Sequence, residues 1–212
     1  PFLAIAARRI TSRVDDKKAL DAALLVAPPA GGKGRALVVG HGRVGQVVCE
    51  MLEKHNFPFL ATDRDPAAVA VYRRRGREVY YGDASNPAFL RSCGVMDAAA
   101  VIVTIHDQAA IGEIVRVVRA MRPEMIIVSR ARDATHARHL YAIGVTDAVP
   151  ETIEASLQLS EAALVGLGVP TGPVIASIHE KRDEFRHELQ EAAGKAGRTT
   201  LHSIRAKSAK TP

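Results

Sequence analysis

The chain has 212 residues, 47% hydrophobic and 25% charged, an ordinary globular balance that excludes a wholly disordered or fibrous protein. Two cysteines, Cys49 and Cys93, are too few for a disulfide framework or a four-thiolate zinc site, and no apolar run approaches the roughly 18 residues of a complete transmembrane helix. The formal net charge of +6 sits at the ends: +4 over residues 1–35, +5 over 192–212 and −3 between them, so the centre lacks the basic excess of a nucleic-acid binder and no nucleic acid is expected as partner.

The chain opens at Pro1, not Met, and is expected to be part of a longer one. Pro1–Ala7 is apolar but too short to span a bilayer, and Arg8, Arg9 and Arg13 follow at once. These residues fit either the end of a transmembrane helix, with its positive charges on the cytoplasmic side, or an amphipathic helix lying on the domain itself. Residues 27–34, with Pro-Pro and three glycines, are a linker.

From residue 36 strands alternate with helices. Ala36–Val39 is a short apolar strand ending at Gly40, and the spacing of Val44, Val47, Val48, Met51 and Leu52 predicts a helix over 43–55. Phe57–Thr62 reads as the second strand. Pro66 opens a helix that runs to Arg75, with Gly76 as its stop. Glu78–Tyr81, Ala99–Thr104, Met125–Ser129 and Asp147–Val149 supply strands three to six, separated by helices over 87–92, 107–121 and 133–142. Apolar strands with little polar alternation, each followed by a helix, require crossovers and a parallel sheet covered on both faces. Residues 36–150 are therefore expected to form an α/β, Rossmann-like, doubly wound domain. A helix over 151–166 and a polar helix over 174–193 follow. The basic tail, 194–212, has few large apolar residues and is expected to be disordered.

The chemistry concentrates after the first strand, in Gly40-His41-Gly42-Arg43-Val44-Gly45. A GxGxxG that follows a strand and opens a helix fits dinucleotide binding: Gly40 for the tight turn, Gly42 for close approach of a phosphate, Gly45 for helix–strand packing, and the helix N-terminus for the negative charge. Asp63 stands 23 positions after Gly40, at the end of the second strand, where a carboxylate accepts hydrogen bonds from ribose hydroxyls. Its charge repels a 2′-phosphate, which favours NAD or an adenosine nucleotide over NADP, an argument that the neighbouring Arg64 weakens slightly. No Tyr-x-x-x-Lys pair or nucleophile elbow accompanies the loop, and only 62 residues follow position 150, so the expected role is binding without catalysis.

These residues, with Tyr81-Gly82-Asp83-Ala84-Ser85 and Arg130-Ala131-Arg132-Asp133, resemble the TrkA-N (RCK) domain, most closely the cytoplasmic C-terminal domain of Kef- and YbaL-type potassium/proton antiporters. The resemblance covers 36–170. It implies a regulatory domain, not an enzyme, that binds AMP or NAD(H) and gates a membrane-embedded antiporter domain of the same chain through a change of its dimer. It also implies a bacterial inner-membrane location and favours the membrane reading of residues 1–35. A free-standing subunit of a potassium uptake system, or an NAD-dependent oxidoreductase, is the alternative. By the same resemblance the 151–166 helix crosses to a second copy. His41, Gly42, Arg43 and Val44 hold phosphates and Asp63 holds the ribose. Asp83 and Ala84 lie beside adenine, Thr104 and Ile105 line the pocket, and Arg130 reaches the phosphate or the partner. Kef members also imply a glutathione-type ligand between subunits; here His41 and Val44 stand where they carry aromatic residues, and Ala109–Val115 is closer to YbaL.

Other polar residues carry less. Asp133, His136 and His139 share a spacing that metal binding could use, but a solvated helix face explains them better. His106, after the fourth strand, is a candidate pH sensor at the ligand edge of the sheet. Cys49 reads as core, and Cys93, in a turn before Gly94, as more exposed.

Overall fold

The computed structural model describes residues 26–29 and 33–208, with side chains through residue 194. The expected membrane-proximal helix, residues 1–25, lies outside the described residues. Six strands, β1 (Ala36–Val39), β2 (Phe59–Asp63), β3 (Val79–Tyr81), β4 (Ala100–Val103), β5 (Ile126–Ala131) and β6 (Asp147–Pro150), form one sheet in the order β3-β2-β1-β4-β5-β6. The sheet is all parallel and flanked by helices, the Rossmann-like class expected from the alternation of elements. The helices are α1 (Arg43–Lys54), α2 (Pro66–Arg74), α3 (Pro87–Ser92), α4 (Gln108–Met121), α5 (Ala134–Ala142), α6 (Glu151–Gly166) and α7 (Thr171–Ser208), with a 3-10 turn at Val95–Asp97.

The chain divides into two compact units. Among the described residues, one comprises those up to Ile105 together with Val117–Met125, and the other His106–Arg116 with those from Ile126 on. In the first, β1 pairs with β2 on one side and β4 on the other, Val38 standing opposite Ala61 and Ile102. Val38, Cys49, Ala61, Val69, Ala70 and Val79 close its core. Burying each large aliphatic side chain contributes about 1.5–3 kcal/mol, which is why the unbroken apolar strands were legible. Two helix starts follow from single residues. Asp65 accepts from Ala67 N and Ala68 N, Asn86 accepts from Ala88 N, and each cap is followed by a proline whose missing N–H costs nothing there.

In the second unit β5 pairs with β6, Ser129 opposite Ala148, and Asp133 caps α5 by accepting from His136 N. The faces of α6 and α7 meet through Leu157, Val174 and Ile178, with Ile153 and Phe185 against them. Arg182 pairs with Glu154 at 3.0 Å and Arg186 with Asp147 at 3.3 Å, fastening the polar face of α7.

Several boundaries shift, β5 running over Ile126–Ala131 and not Met125–Ser129, and two of the differences are instructive. β2 begins at Phe59, not Phe57, because Asn56 turns the chain at φ +54° and Pro58 has no N–H to give a ladder. The helix expected over 174–193 runs instead from Thr171 to Ser208, over most of the tail that composition assigns to disorder. Ala196, Arg198, Arg205, Ala206 and Lys207 favour a helix there while Gly197, Thr199 and Thr200 do not, so composition alone does not mark where α7 ends.

Candidate functional site

The order of the strands reverses at β1, whose neighbours are β2 and β4, and the crevice at such a switch point is where an open α/β sheet binds ligands. Gly40 leaves β1 at φ +96°, a conformation that a side chain disfavours, and its N–H donates to the carbonyl of Thr62 at 2.8 Å. A Cβ there would lie 2.7 Å from Ile105 Cγ2 and 3.0 Å from Thr104 Oγ1. A Cβ on Gly45 would lie 2.1 Å from the Gly40 oxygen, so this glycine is what lets α1 touch the turn. Gly42 is different: nothing lies within 4 Å of where its Cβ would be. It is the N-cap of α1 and offers no capping side chain, leaving the first turn of the helix to an outside acceptor. Two glycines thus satisfy the protein's own packing, and the third keeps a space open. That space fits a phosphate held by main-chain N–H groups.

Asp63 ends β2 beside this loop. Its Oδ2 accepts from His41 N at 2.8 Å and its Oδ1 from Asp65 N at 2.9 Å. An ionised carboxylate offers about four acceptor positions, so two remain for hydroxyl donors. Thr104, 6% exposed, donates its hydroxyl to the Gly40 oxygen at 2.8 Å and reaches the Val39 oxygen at 3.1 Å, fixing the turn from β4. Ile105 is half-buried against Gly40. Arg43 and Val44 are exposed on the first turn of α1, and Arg64 is exposed after Asp63.

Beyond β3, Asp83 is exposed and turns the chain by accepting from both the N–H and the hydroxyl of Ser85. Ala84 is buried. A Cβ on Gly82 would fall 2.1 Å from the Phe89 ring, so that Gly-Asp-Ala sequence is shaped by packing as well as by any ligand.

His41 lies differently from the other loop residues. Its ring is buried, edge-on to Tyr72 with centroids 4.7 Å apart, and its Nδ1 is 3.6 Å from the Cys49 sulfur. Burial holds its pKa below the ordinary 6.5, with the Asp63 carboxylate pulling the other way. Gln46, absent from the sequence-derived set, donates to the His41 carbonyl at 3.3 Å and to the Tyr72 hydroxyl at 3.2 Å. Its only sequence signal was its place directly after the last glycine.

Arg130 belongs to the second unit, at the end of β5. It pairs with Glu151 at the head of α6, and its Nη2 lies 2.9 Å from His106 Nδ1. His136 is buried, with Nδ1 accepting from Arg132 N at 3.2 Å. Among the described residues no cluster of three or more His, Cys, Asp or Glu is placed to hold a metal ion. Cys93 is buried, contrary to expectation, because the turn packs inward under Arg35, whose guanidinium donates to the Cys93 carbonyl at 2.8 Å. Burial pushes the thiols of Cys49 and Cys93 up to about 11.

The TrkA-N domain model matches residues 36–151, more than half of the chain, and the chain belongs to that family. Among curated relatives it is 33% identical over 165 residues to K(+) efflux antiporter 1, chloroplastic, of Arabidopsis thaliana, covering 78% of this chain and 14% of that one. With antiporter 2 of the same plant it shares 30% over 197 residues, 93% of this chain and 17% of that one. The chain thus spans less than a fifth of the length of either antiporter. Among solved structures it resembles the Kef C-terminal domain of Shewanella denitrificans in an AMP-bound form, with a TM-score of 0.65 and 27% identity over 76% of this chain and 98% of that one. No helix among the described residues is long and apolar enough to cross a membrane.

Proposed function

We propose that this chain is the cytoplasmic nucleotide-binding regulatory domain of a bacterial potassium/proton antiporter. The observation that carries the reading is the open space at Gly42, set at an uncapped helix N-terminus beside Asp63. In this reading the N–H groups of Gly42, Arg43 and Val44 hold phosphate. The free acceptor positions of Asp63 hold the ribose, and Asp83 and Ala84 border the base. AMP or NAD(H) are the ligands the acid permits, and the AMP-bound Kef relative supports the first. His41 serves through its main chain, and Arg130 serves by holding the head of α6.

The domain acts as a homodimer through α6. Support comes from the apolar residues that α6 and the turn after it expose, Leu159 at 72% and Leu167 at 82%. Nucleotide then favours one arrangement of the dimer, and the linker before β1 passes the difference to the membrane part. The shift is bounded by the ligand's differential affinity for the two arrangements. Titration calorimetry with AMP, NAD and NADH, followed by solution scattering of the free and liganded chain, tests both halves. Binding without a change of scattering profile removes the gating step, and absence of binding removes the nucleotide site.

A further inference from the structure

We infer that residues 19–26 of this chain, Ala-Leu-Asp-Ala-Ala-Leu-Leu-Val, dock on an apolar groove of the first unit, between α3, the 3-10 turn at Val95–Asp97 and the C-terminal end of α4. The groove has a volume of about 490 Å³ and is lined by Pro87, Arg91, Met96, Val117, Ala120 and Met121. Met96 is 51% exposed, and Pro87 and Ala120 are exposed with it, so the surface is open and mostly apolar. No residue of the glycine loop, and neither Asp63 nor Asp83, lines it.

The occupant follows from where the chain enters the fold. Nη2 of Arg35, a residue only 7% exposed, donates to the Pro29 oxygen at 3.1 Å and to the Cys93 oxygen at 2.8 Å, which sets those two carbonyls side by side. Gly34 N donates to the Asp97 oxygen at 2.9 Å, one residue from Met96. The segment before Pro29 therefore starts at the rim of the groove. Met96 is three residues from Cys93, at most about 11 Å along the chain, and Leu25, four residues before Pro29, reaches about 14 Å. A segment tethered at this range has an effective concentration on the order of millimolar, which favours it over a free partner. Its chemistry matches the lining. Leu20, Leu24, Leu25 and Val26 supply apolar side chains, and Lys17 and Lys18 end the apolar stretch. Asp21 is the single charged residue of 19–27, and Arg91 is the single charged residue of the lining. Arg91 is exposed and forms no ion pair among the described residues, so its charge is available to Asp21.

The inference does not depend on nucleotide binding, and both native thiols are buried, so an introduced pair of cysteines reports on the groove by itself. In the full chain carrying Leu24→Cys and Met96→Cys, mild oxidation is expected to close a disulfide within one chain about tenfold faster than in Leu24→Cys with Val47→Cys, a control on α1 whose position is at least as exposed. Asp21→Lys, which sets two cations against each other, is expected to slow the first reaction about two- to fivefold, the scale of an exposed ion pair, and Arg91→Asp in the same chain is expected to restore it. The proposal is overturned if the two pairs close at equal rates, or if Asp21→Lys leaves the rate unchanged. It is also overturned if the bond joins two chains and does not close within one, which would put the segment of a second copy in the groove.

Discussion

The main-chain N–H of His41 donates to Oδ2 of Asp63 across 2.8 Å, so the acid proposed to hold ribose also holds the glycine loop. Asp63→Ala therefore removes a ligand acceptor and a loop support together. Hydrogen bonds to charged groups are worth about 1.5–3 kcal/mol, and calorimetry is expected to show AMP affinity falling by about tenfold or more. Asp63→Asn keeps an acceptor for His41 N and is expected to fall less. Equal affinity in all three proteins would remove Asp63 from the site.

The three loop glycines are expected to separate by readout. Gly45→Ala forces a Cβ against the Gly40 carbonyl and should lower the unfolding free energy by about 3 kcal/mol in urea titrations. Gly42→Ala meets no protein atom and should change stability by only about 0.5 kcal/mol while weakening AMP binding. Loss of stability at Gly42 with affinity retained would mean that the open space serves the fold and not a phosphate.

Acidification should destabilise the chain through its buried histidines. Burial holds His41 and His136 below their ordinary pKa of 6.5 in the folded state, so the unfolded chain takes up protons first as pH falls. Their contribution is complete above about pH 6.5 and is lost as pH drops through the folded values. The urea midpoint is expected to decline between about pH 7 and pH 5, and His41→Phe, which keeps the edge-on ring against Tyr72, should flatten part of that decline. An unchanged slope in His41→Phe would show that His41 charges without penalty.

The proposed dimer has a simple test at α6. Leu159→Glu places a charge on an exposed apolar position, costs the folded monomer little, and should shift the chain toward monomer in light scattering. A dimer of unchanged stability would place the interface elsewhere.

Neither thiol should react readily in the native chain. Cys49 and Cys93 are buried and pushed up to about 11, so an aromatic disulfide reagent is expected to label both only after denaturant is added. Rapid native labelling of Cys93 would mean that the turn at Gly94 opens.

The sheet was legible because its strands are apolar on both faces, and the glycine loop because its spacing falls between a strand and a helix. The orientation of His41 was not legible. It depends on Tyr72, 31 positions later, and on Gln46 tying the two together, and a local pattern holds no trace of either contact. The extent of α7 was missed for the opposite reason. The scarcity of large apolar residues predicts little burial, and burial alone does not set where a helix ends. Cys93 was misplaced because its shelter is Arg35, 58 positions earlier, a polar residue that sequence pattern assigns to the surface.

Thr104 hands its hydroxyl hydrogen to Gly40 from 64 positions down the chain. The bend that follows β1 is therefore finished only once β4 has docked beside it. An amino-terminal fragment ending before β4 contains every glycine of the motif and lacks the clasp that shapes them. A growing chain therefore acquires this clasp only when β4 pairs with β1, two strands before the sheet is complete.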